Sequence, residues 1–358
     1  MSIRNFGLPY TGSKNRIAPW LMEVLPDCEH FVDVFSGGCA VSHAMIVYGK
    51  AKKIILNDIQ GDVPALFLDA LHGDLEKYSP YQWIDRTTFF EQKDTNPFIR
   101  LVYSFGNNGN SYLYSRQIEE YEHSVHMALV EDDWYSFSVL CPELSEKCKN
   151  ELLKYPIIQN KCSKSIKERY LMFNKKCTEV LRDISGNNWF SDIIQKNPFY
   201  RTAKKEWISH GKSSKEINGI TSSKDILNTL RIASIHSIQS FDGIERIHRI
   251  NQNNNNNNIH FINAQSMDYR LLDIPNNSVV FCDPPYKDSA VKYNNTKFNH
   301  EDFYDWCIEK AKYNDVFVTE YNIEHPCFKL IGEKARQFSL NATGSQGLKT
   351  ERLYKVIP

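Results

Sequence analysis

The sequence of 358 residues lacks the features that would mark it as a membrane protein, a secreted protein or a zinc-binding protein. It has no apolar run near the ~18 residues of a membrane-spanning helix, and its N-terminus, MSIRNFGLPY, lacks the apolar segment of a signal peptide. Its nine cysteines are odd in number and include no C-x-x-C pair. We therefore expect a cytoplasmic protein with reduced thiols, no membrane association and no bound metal.

Net charge is also absent, since 43 basic residues balance 43 acidic ones. The charges are nevertheless segregated along the chain. Fifteen acidic and five basic residues lie between Asp58 and Glu143, whereas sixteen basic and six acidic residues lie between Lys147 and Lys215. The second segment predicts a basic patch suited to nucleic acid, although a solvated helical surface explains it equally well.

The two ends of the chain alternate between β and α patterns. The first end predicts strands at 31–35 and 53–56 with helices at 40–48 and 64–71, and the pattern resumes at residue 259 with two strands, a helix at 301–313 and a third strand at 315–321. The terminal ERLYKVI is expected at a sheet edge. We therefore predict one α/β domain from residues 1–71 and 259–358, interrupted by a largely helical inserted domain at 72–258 that ends in an Asn-rich loop at 251–258.

A glycine turn follows the first predicted strand, in FVDVFSGGCAVS. Such a turn between strand and helix brings backbone amides close to a bound nucleotide-like cofactor. Gly37 and Gly38 do not complete a G-x-G-x-x-G fingerprint, so a plain tight turn remains an alternative. Asp58, which ends the second strand about 20 residues further on, is placed to hydrogen-bond a ribose.

The run DPPY, from Asp283 to Tyr286, follows the apolar strand SVVFC. A carboxylate at the carboxyl end of a central parallel strand lies where doubly wound sheets bind ligands. Proline fixes φ and lacks an N–H, so the Pro284 carbonyl is held as an acceptor beside Asp283, and Tyr286 offers a face for a planar ring. These groups suit an exocyclic amine on an aromatic base. The alternative is that DPPY has only a structural role, as a turn that ends the strand.

These pieces, with YTGSK near the N-terminus, occur in an order that resembles the Dam-like, D12-class, α-group N6-adenine DNA methyltransferases of phage type. The motifs cover about residues 9–68 and 259–357, with a weaker match in the insertion. The resemblance implies a Rossmann-like domain that binds S-adenosyl-L-methionine, yields S-adenosyl-L-homocysteine and acts on double-stranded DNA. It also implies that the inserted domain recognises the target, and it allows for a cognate restriction nuclease.

The resemblance assigns roles to particular residues. A catalytic role falls on the motif Asp283, Pro284, Pro285 and Tyr286. Cofactor-binding roles fall on Tyr10, Lys14, Asp33, Phe35, Gly37, Asp58 and Asp283. Cys39 departs from the family, because many members have a glycine there, and this leaves the geometry of the turn open.

The segment SFGNNGNSYLYS, at 104–115, resembles the loop with which the family reaches into the duplex. Asn107, Asn108 and Gly109 lie at its centre and are the candidate DNA contacts, although N-N-G is also a common hairpin turn.

The expected reaction is methyl transfer to adenine N6 by base flipping and direct in-line attack, without a covalent adduct. Asp283 and the Pro284 carbonyl would accept hydrogen bonds from the two N–H groups of N6. Three alternatives stay open at this point: N4-cytosine methylation, an NAD(P)-dependent oxidoreductase on the same scaffold, and a catalytically silent DNA-binding module.

Overall fold

The computed structural model of the protein describes most of both chain ends and part of the middle. The described residues are 6–79, 81–114, 116, 119–140, 145–146, 149–150, 166, 168–169, 171–173, 175, 237, 240–252, 261–287, 298–337 and 348–358. Within these residues, no helix has the length and apolar character needed to cross a membrane. They also contain no group of three or more His, Cys, Asp or Glu side chains arranged to hold a metal ion.

The described chain divides into two compact units, one formed by Met1–Leu75 with Gly243–Pro358 and the other by Glu76–Asp242. The first unit contains a seven-stranded sheet. Its strands are β1 (Cys28–Asp33), β2 (Ala51–Asn57), β3 (Phe261–Gln265), β4 (Val279–Cys282), β5 (Asp315–Glu320), β6 (Phe328–Gln337) and β7 (Leu348–Val356).

The sheet order is β3-β2-β1-β4-β5-β7-β6. The first five strands of this order pair in parallel, and β7 pairs antiparallel with both β5 and β6. The order reverses between β1 and β4, which makes their carboxyl ends the switch point where open α/β sheets bind ligands. The mixed, mostly parallel sheet is the Rossmann-like fold that the sequence predicts.

Four helices of the first unit alternate with these strands: α1 (Ala18–Val24), α2 (Ala40–Tyr48), α3 (Asp62–His72) and α9 (His300–Ala311). Residues 240–252, here called α8, are also helical. α9 begins where the Asn299 side chain accepts hydrogen bonds from the amides of Glu301 and Asp302. Because β1, β4 and β5 are covered on both faces, their central residues are apolar and buried, as a parallel sheet requires.

The second unit is helical where it is described. It contains α4 (Arg86–Gln92), α5 (Pro97–Val102), α6 (Glu119–His126), a π-helical segment (Met127–Glu131) and α7 (Tyr135–Leu140). Its core is aromatic and includes Phe89, Phe98 and Phe137.

Arg169 belongs to the basic segment between Lys147 and Lys215, most of which lies outside the described residues. Its side chain is 2% exposed, and it donates to the Leu129 carbonyl at 2.8 Å and to the Asp132 carboxylate at 2.9 Å. This arginine therefore contributes to the core of the second unit, while the described Lys149 and Lys175 are exposed.

Several expectations about elements need correction. β1 starts at Cys28 and ends at Asp33, two residues before the end of the predicted strand, because the chain turns at Val34. The prediction that ERLYKVI lies at a sheet edge is wrong, since β7 lies between β5 and β6. β6 was not predicted at all. Of the nine cysteines, the five in the described residues are free thiols, at positions 28, 39, 282, 307 and 327.

Candidate active site

Asp283 follows β4 at the switch point and is held by side chains from two other elements. The Lys14 ammonium lies 2.7 Å from its Oδ2, and the Thr319 hydroxyl donates to its Oδ1 at 2.8 Å. Lys14 is 7% exposed and comes from the short 3₁₀ helix before α1, whereas Thr319 comes from β5. The Asp283 carboxylate is therefore fixed in orientation, and each oxygen keeps a second acceptor position.

Tyr286 lies beside the same carboxylate. Its hydroxyl donates to the Glu351 carboxylate on β7, and the Lys14 ammonium lies 4.7 Å from its ring centroid. The Tyr321 ring packs edge-on against it at a centroid distance of 4.5 Å. The aromatic ring of the DPPY motif is thus held from several sides.

The backbone between these residues is also held. Nε2 of His300, the first residue of α9, donates to the Pro285 carbonyl at 3.0 Å. Burial lowers the pKa of His300, which favours the neutral ring. Because a proline carries no N–H, this contact from α9 fixes a segment that cannot form regular strand hydrogen bonds.

Acidic groups are concentrated at this end of the sheet. Burial raises the pKa of Asp283 against the opposing effect of Lys14, and burial raises the pKa of Glu320 to about 7. Burial also raises the pKa of Asp33 to about 7, where the Asp283 and Asp58 charges add to the effect and the Ser42 hydrogen bond opposes it. Such clustered, perturbed carboxyl groups are typical of a functional site.

Asp33 ends β1 and is buried. Its Oδ2 accepts the Ser42 hydroxyl of α2 at 2.5 Å, so this carboxyl joins the strand to the helix that follows the glycine turn. Phe35 turns into an aromatic cluster with centroid distances of 5.5 to 5.8 Å to Tyr269, Phe298 and Phe303. Both predicted cofactor residues therefore have structural contacts as well.

The glycine turn packs against Tyr10. A Cβ at Gly38 would lie 2.6 Å from the Tyr10 Cβ, and a Cβ at Gly37 would lie 3.1 Å from its ring. Gly37 also has a φ of +45°, so a side chain there would be strained as well as crowded. The close approach of the chain to Tyr10 is what requires the two glycines.

Cys39, which stands where many members of the family have glycine, keeps the geometry of the turn. It adopts the left-handed conformation, with φ 58° and ψ 31°, that a glycine at this position would take. Its amide donates to the Ser36 carbonyl at 2.6 Å, which closes the turn before α2. The turn geometry is kept at a cost of about 1 kcal/mol or more for a residue with a Cβ.

Asp58 lies directly after β2, beside this turn. Its Oδ2 accepts the Gly37 amide and its Oδ1 accepts the Gln60 amide, each at 2.9 Å. An acidic residue held against a glycine turn fits the ribose of a nucleoside cofactor, so the donor set at this end of the sheet fits S-adenosylmethionine.

The three candidate DNA contacts belong to the second unit, in a turn bracketed by the Ser104–Tyr112 bridge. Asn107 donates from Nδ2 to the Leu101 carbonyl at 2.8 Å and to the Ser240 hydroxyl at 2.9 Å. Asn108 accepts two amides through Oδ1, at 2.8 and 3.0 Å. Gly109 has a φ of +73°.

These contacts show that Asn107, Asn108 and Gly109 hold the turn itself. The large apolar side chain that this turn exposes is Phe105, which is 62% exposed.

Sequence reasoning did not identify four residues: Thr319, Glu351, His300 and Phe105. Thr319 lies in the apolar strand β5, and Glu351 lies in β7. A buried polar residue within a strand was the sequence feature that could have identified each of them as a site residue. For Phe105, the signal was an exposed aromatic residue beside a turn.

Comparison with known families adds an independent observation. A family model described as D12 class N6 adenine-specific DNA methyltransferase matches residues 10–228, which is more than half of the chain. The match includes Tyr10, Asp58 and the turn around Asn107, and it ends before Asp283. A comparison with curated proteins found no match.

The family acts on adenine N6 with S-adenosylmethionine as the methyl donor. Membership therefore argues against the three alternatives: N4-cytosine methylation, an NAD(P)-dependent oxidoreductase and a catalytically silent DNA-binding module. With the mostly parallel seven-stranded sheet, the match shows that the chain belongs to the D12 class N6 adenine-specific DNA methyltransferases, enzymes that methylate adenine in DNA.

Proposed function

We propose that the carboxyl end of β4 is where the target adenine is methylated, after it has flipped out of the duplex. The observation that carries this proposal is the Asp283 carboxylate, oriented by Lys14 and Thr319 beside the ring of Tyr286. An oriented acceptor next to an aromatic face matches an exocyclic amine on a planar base.

In this mechanism, Asp283 and the Pro284 carbonyl accept hydrogen bonds from the two N–H groups of adenine N6. Both acceptors draw the nitrogen lone pair out of conjugation with the ring and aim it at the methyl group. The Lys14 ammonium opposes the effect of burial on the Asp283 pKa and favours the ionised carboxylate, which forms the stronger hydrogen bond. Catalysis is then mainly positioning and stabilisation of the charge that develops on N6.

When bound, S-adenosylmethionine supplies an electrophilic methyl group on a positively charged sulfur. Asp58 and the Gly37–Gly38 turn are the proposed binding residues for its nucleoside part, with Tyr10 packed beside them. Asp33 lies behind this turn and fixes α2 through Ser42. After transfer, N6 loses one proton to water or through Asp283, whose raised pKa suits it to accept a proton.

The second unit, Glu76–Asp242, is proposed as the target-recognition domain. The exposed Phe105 ring is the group in its turn that is available to stack on or wedge against bases. The segment 147–215 would add salt-dependent affinity for phosphates through its surplus of basic residues. We further propose that the enzyme acts in the cytoplasm and that a cognate restriction nuclease accompanies it.

The test of the reaction site uses tritiated S-adenosylmethionine, duplex DNA and the Tyr286→Ala variant. The wild-type protein should place label in N6-methyladenine, identified after digestion to nucleosides. The Tyr286→Ala variant should give a smaller fluorescence increase with 2-aminopurine at the target position, because the flipped base loses its stacking face. A normal fluorescence increase in that variant would remove Tyr286 from the proposed base site.

A further inference from the structure

Glu351 is a buried acidic residue that the reaction scheme above does not use. It lies on β7 and is 1% exposed, in line with Leu353, which is 0% exposed two residues further along the strand. Since alternate residues of a strand face the same side, Glu351 lies on the same face of β7 as the buried Leu353 and as Lys355. Burying a carboxylate costs free energy, so Glu351 destabilises the fold unless hydrogen bonds compensate for its burial.

The Glu351 carboxylate accepts the hydroxyl hydrogen bond of Tyr286, which is 65 residues away in the sequence. Burial raises the pKa of the Tyr286 hydroxyl well above its ordinary value, and the Asp283 and Glu351 charges add to this. The hydroxyl therefore keeps its proton at neutral pH and acts as the donor. A hydrogen bond from a neutral donor to a charged acceptor is among the stronger ones.

The other described contacts of the Tyr286 ring are packing contacts rather than hydrogen bonds. Tyr321 touches the ring with an edge and Lys14 lies over a face, and neither holds a specific atom of the ring. The hydroxyl is the one polar atom of the side chain, so a hydrogen bond there sets the direction of the ring axis. The Thr319 side chain, which donates to Asp283, also interacts with the Tyr286 hydroxyl and partly offsets the rise in its pKa.

We propose that Glu351 is a positioning residue for methyl transfer: through the Tyr286 hydroxyl, it fixes the orientation of the ring on which the flipped adenine stacks. The inference rests on the proposed role of Tyr286 as the stacking face. It also gives β7 a part in the active site, although this strand follows the DPPY motif by more than 60 residues.

The first test is a double-mutant cycle with Glu351→Leu and Tyr286→Phe. The Leu substitution should lower kcat/KM for duplex DNA by about tenfold, the scale of one hydrogen bond to a charged group, and should reduce the 2-aminopurine signal. In the Tyr286→Phe background, which has no hydroxyl, the same substitution should change kcat/KM by less than about twofold. An equal loss in both backgrounds would show that Glu351 does not act through Tyr286.

The second test separates positioning from a role in folding. Glu351→Gln keeps an acceptor oxygen, so it should restore most of the 2-aminopurine signal that Glu351→Leu loses. The affinity of all variants for S-adenosylmethionine, measured by calorimetry, should stay near that of the wild type. If Glu351→Gln is as impaired as Glu351→Leu, or if cofactor affinity falls in parallel, the inference is overturned.

A matched control is Glu333→Gln on the neighbouring strand β6. Glu333 is exposed and pairs with Arg352 at 3.4 Å, so its neutralisation should leave the 2-aminopurine signal unchanged. The Tyr286→Ala variant distinguishes the two levels of failure. If it lacks the signal while Glu351→Leu retains it, only the inference about Glu351 fails; if Tyr286→Ala retains the signal, the proposed base site itself fails.

Discussion

Two regions were predicted to be functional: the carboxyl end of β4 and the turn bracketed by Ser104 and Tyr112. They differ in what the polar side chains of each region contact. At β4, the Asp283 carboxylate is held by side chains from distant parts of the chain, Lys14 and Thr319. In the turn, the amides of Asn107 and Asn108 hold mainly nearby backbone. A polar residue oriented by others is available to a ligand, whereas one that makes its own turn is largely occupied.

The largest expected effect concerns Asp283. Replacing it with asparagine keeps one carbonyl acceptor but removes the charge, and we expect methyl transfer to fall by about 10²- to 10³-fold, the scale of losing one oriented electrostatic partner. The measurement is single-turnover transfer of tritiated methyl groups to DNA. Turnover within about threefold of the wild type would contradict the role assigned to the carboxylate.

The alanine variant of Asp283 is less informative, because it leaves the buried Lys14 ammonium with neither the carboxylate nor the amide oxygen that asparagine would keep as an acceptor. Removing one member of a buried ion pair typically costs about 3–5 kcal/mol of stability. Unfolding in urea should therefore separate Asp283→Ala from Asp283→Asn, with the alanine variant the less stable of the two.

The second prediction uses pH to sharpen the comparison, since the β4 end of the sheet has buried carboxyl groups. The pKa of Asp33 is raised from 3.8 to about 7 in the folded protein. A raised pKa adds stability that is fully present below the unfolded value and is lost as pH rises through about 7. We expect Asp33 to remove about 2–3 kcal/mol of unfolding free energy between pH 5 and pH 8.

Urea unfolding of wild type and Asp33→Asn at both pH values measures this effect. The asparagine variant should lose that part of the pH dependence, and the remainder should include the same-signed contribution of Glu320, whose pKa is also raised to about 7. Glu320→Gln is the matched control for the remainder. Identical pH dependence in wild type and Asp33→Asn would show that Asp33 is ionised in the folded state.

The smallest effects are expected in the turn, where two substitutions should separate stability from DNA binding. Asn107→Ala removes two hydrogen bonds and should lower stability by about 1–2 kcal/mol. Phe105→Ala removes an exposed ring, so it should change stability by less than about 0.5 kcal/mol but lower DNA affinity about tenfold. Unfolding curves and fluorescence anisotropy with labelled duplex measure the two quantities. Reversed results would restore Asn107 as a direct DNA contact.

Much of the parallel part of the fold could be predicted from the sequence. The apolar runs around Val32, Ile54 and Val280 belong to strands covered on both faces, and such runs are a strong signal. The helix at Ala40–Tyr48 was predicted after the glycine turn with its observed bounds, and in the structure it ends at Gly49, which adopts the left-handed conformation. Local chemistry was sufficient in these cases.

The antiparallel part was harder to predict for a physical reason. β6, with the sequence FKLIGEKARQ, is an edge strand rich in charged residues, so it lacks an apolar run and a clear alternation. Its partner β7 was recognised as a strand but misplaced at the edge, because pairing order depends on contacts that no single segment encodes. Thr319 and Glu351, which contact Asp283 and Tyr286, were missed for the same reason.

The position of β7 has a consequence for the order in which the enzyme is made. Residues 348–356 leave the ribosome after the other six strands, yet they insert between β5 and β6 and bring Glu351 to Tyr286. A nascent chain that lacks them can pair β1, β2, β3, β4 and β5, but it has an open sheet edge and lacks the Glu351 partner of Tyr286 in the proposed active site. Methylation competence should therefore arise as a late event of folding, when the last strand closes the sheet.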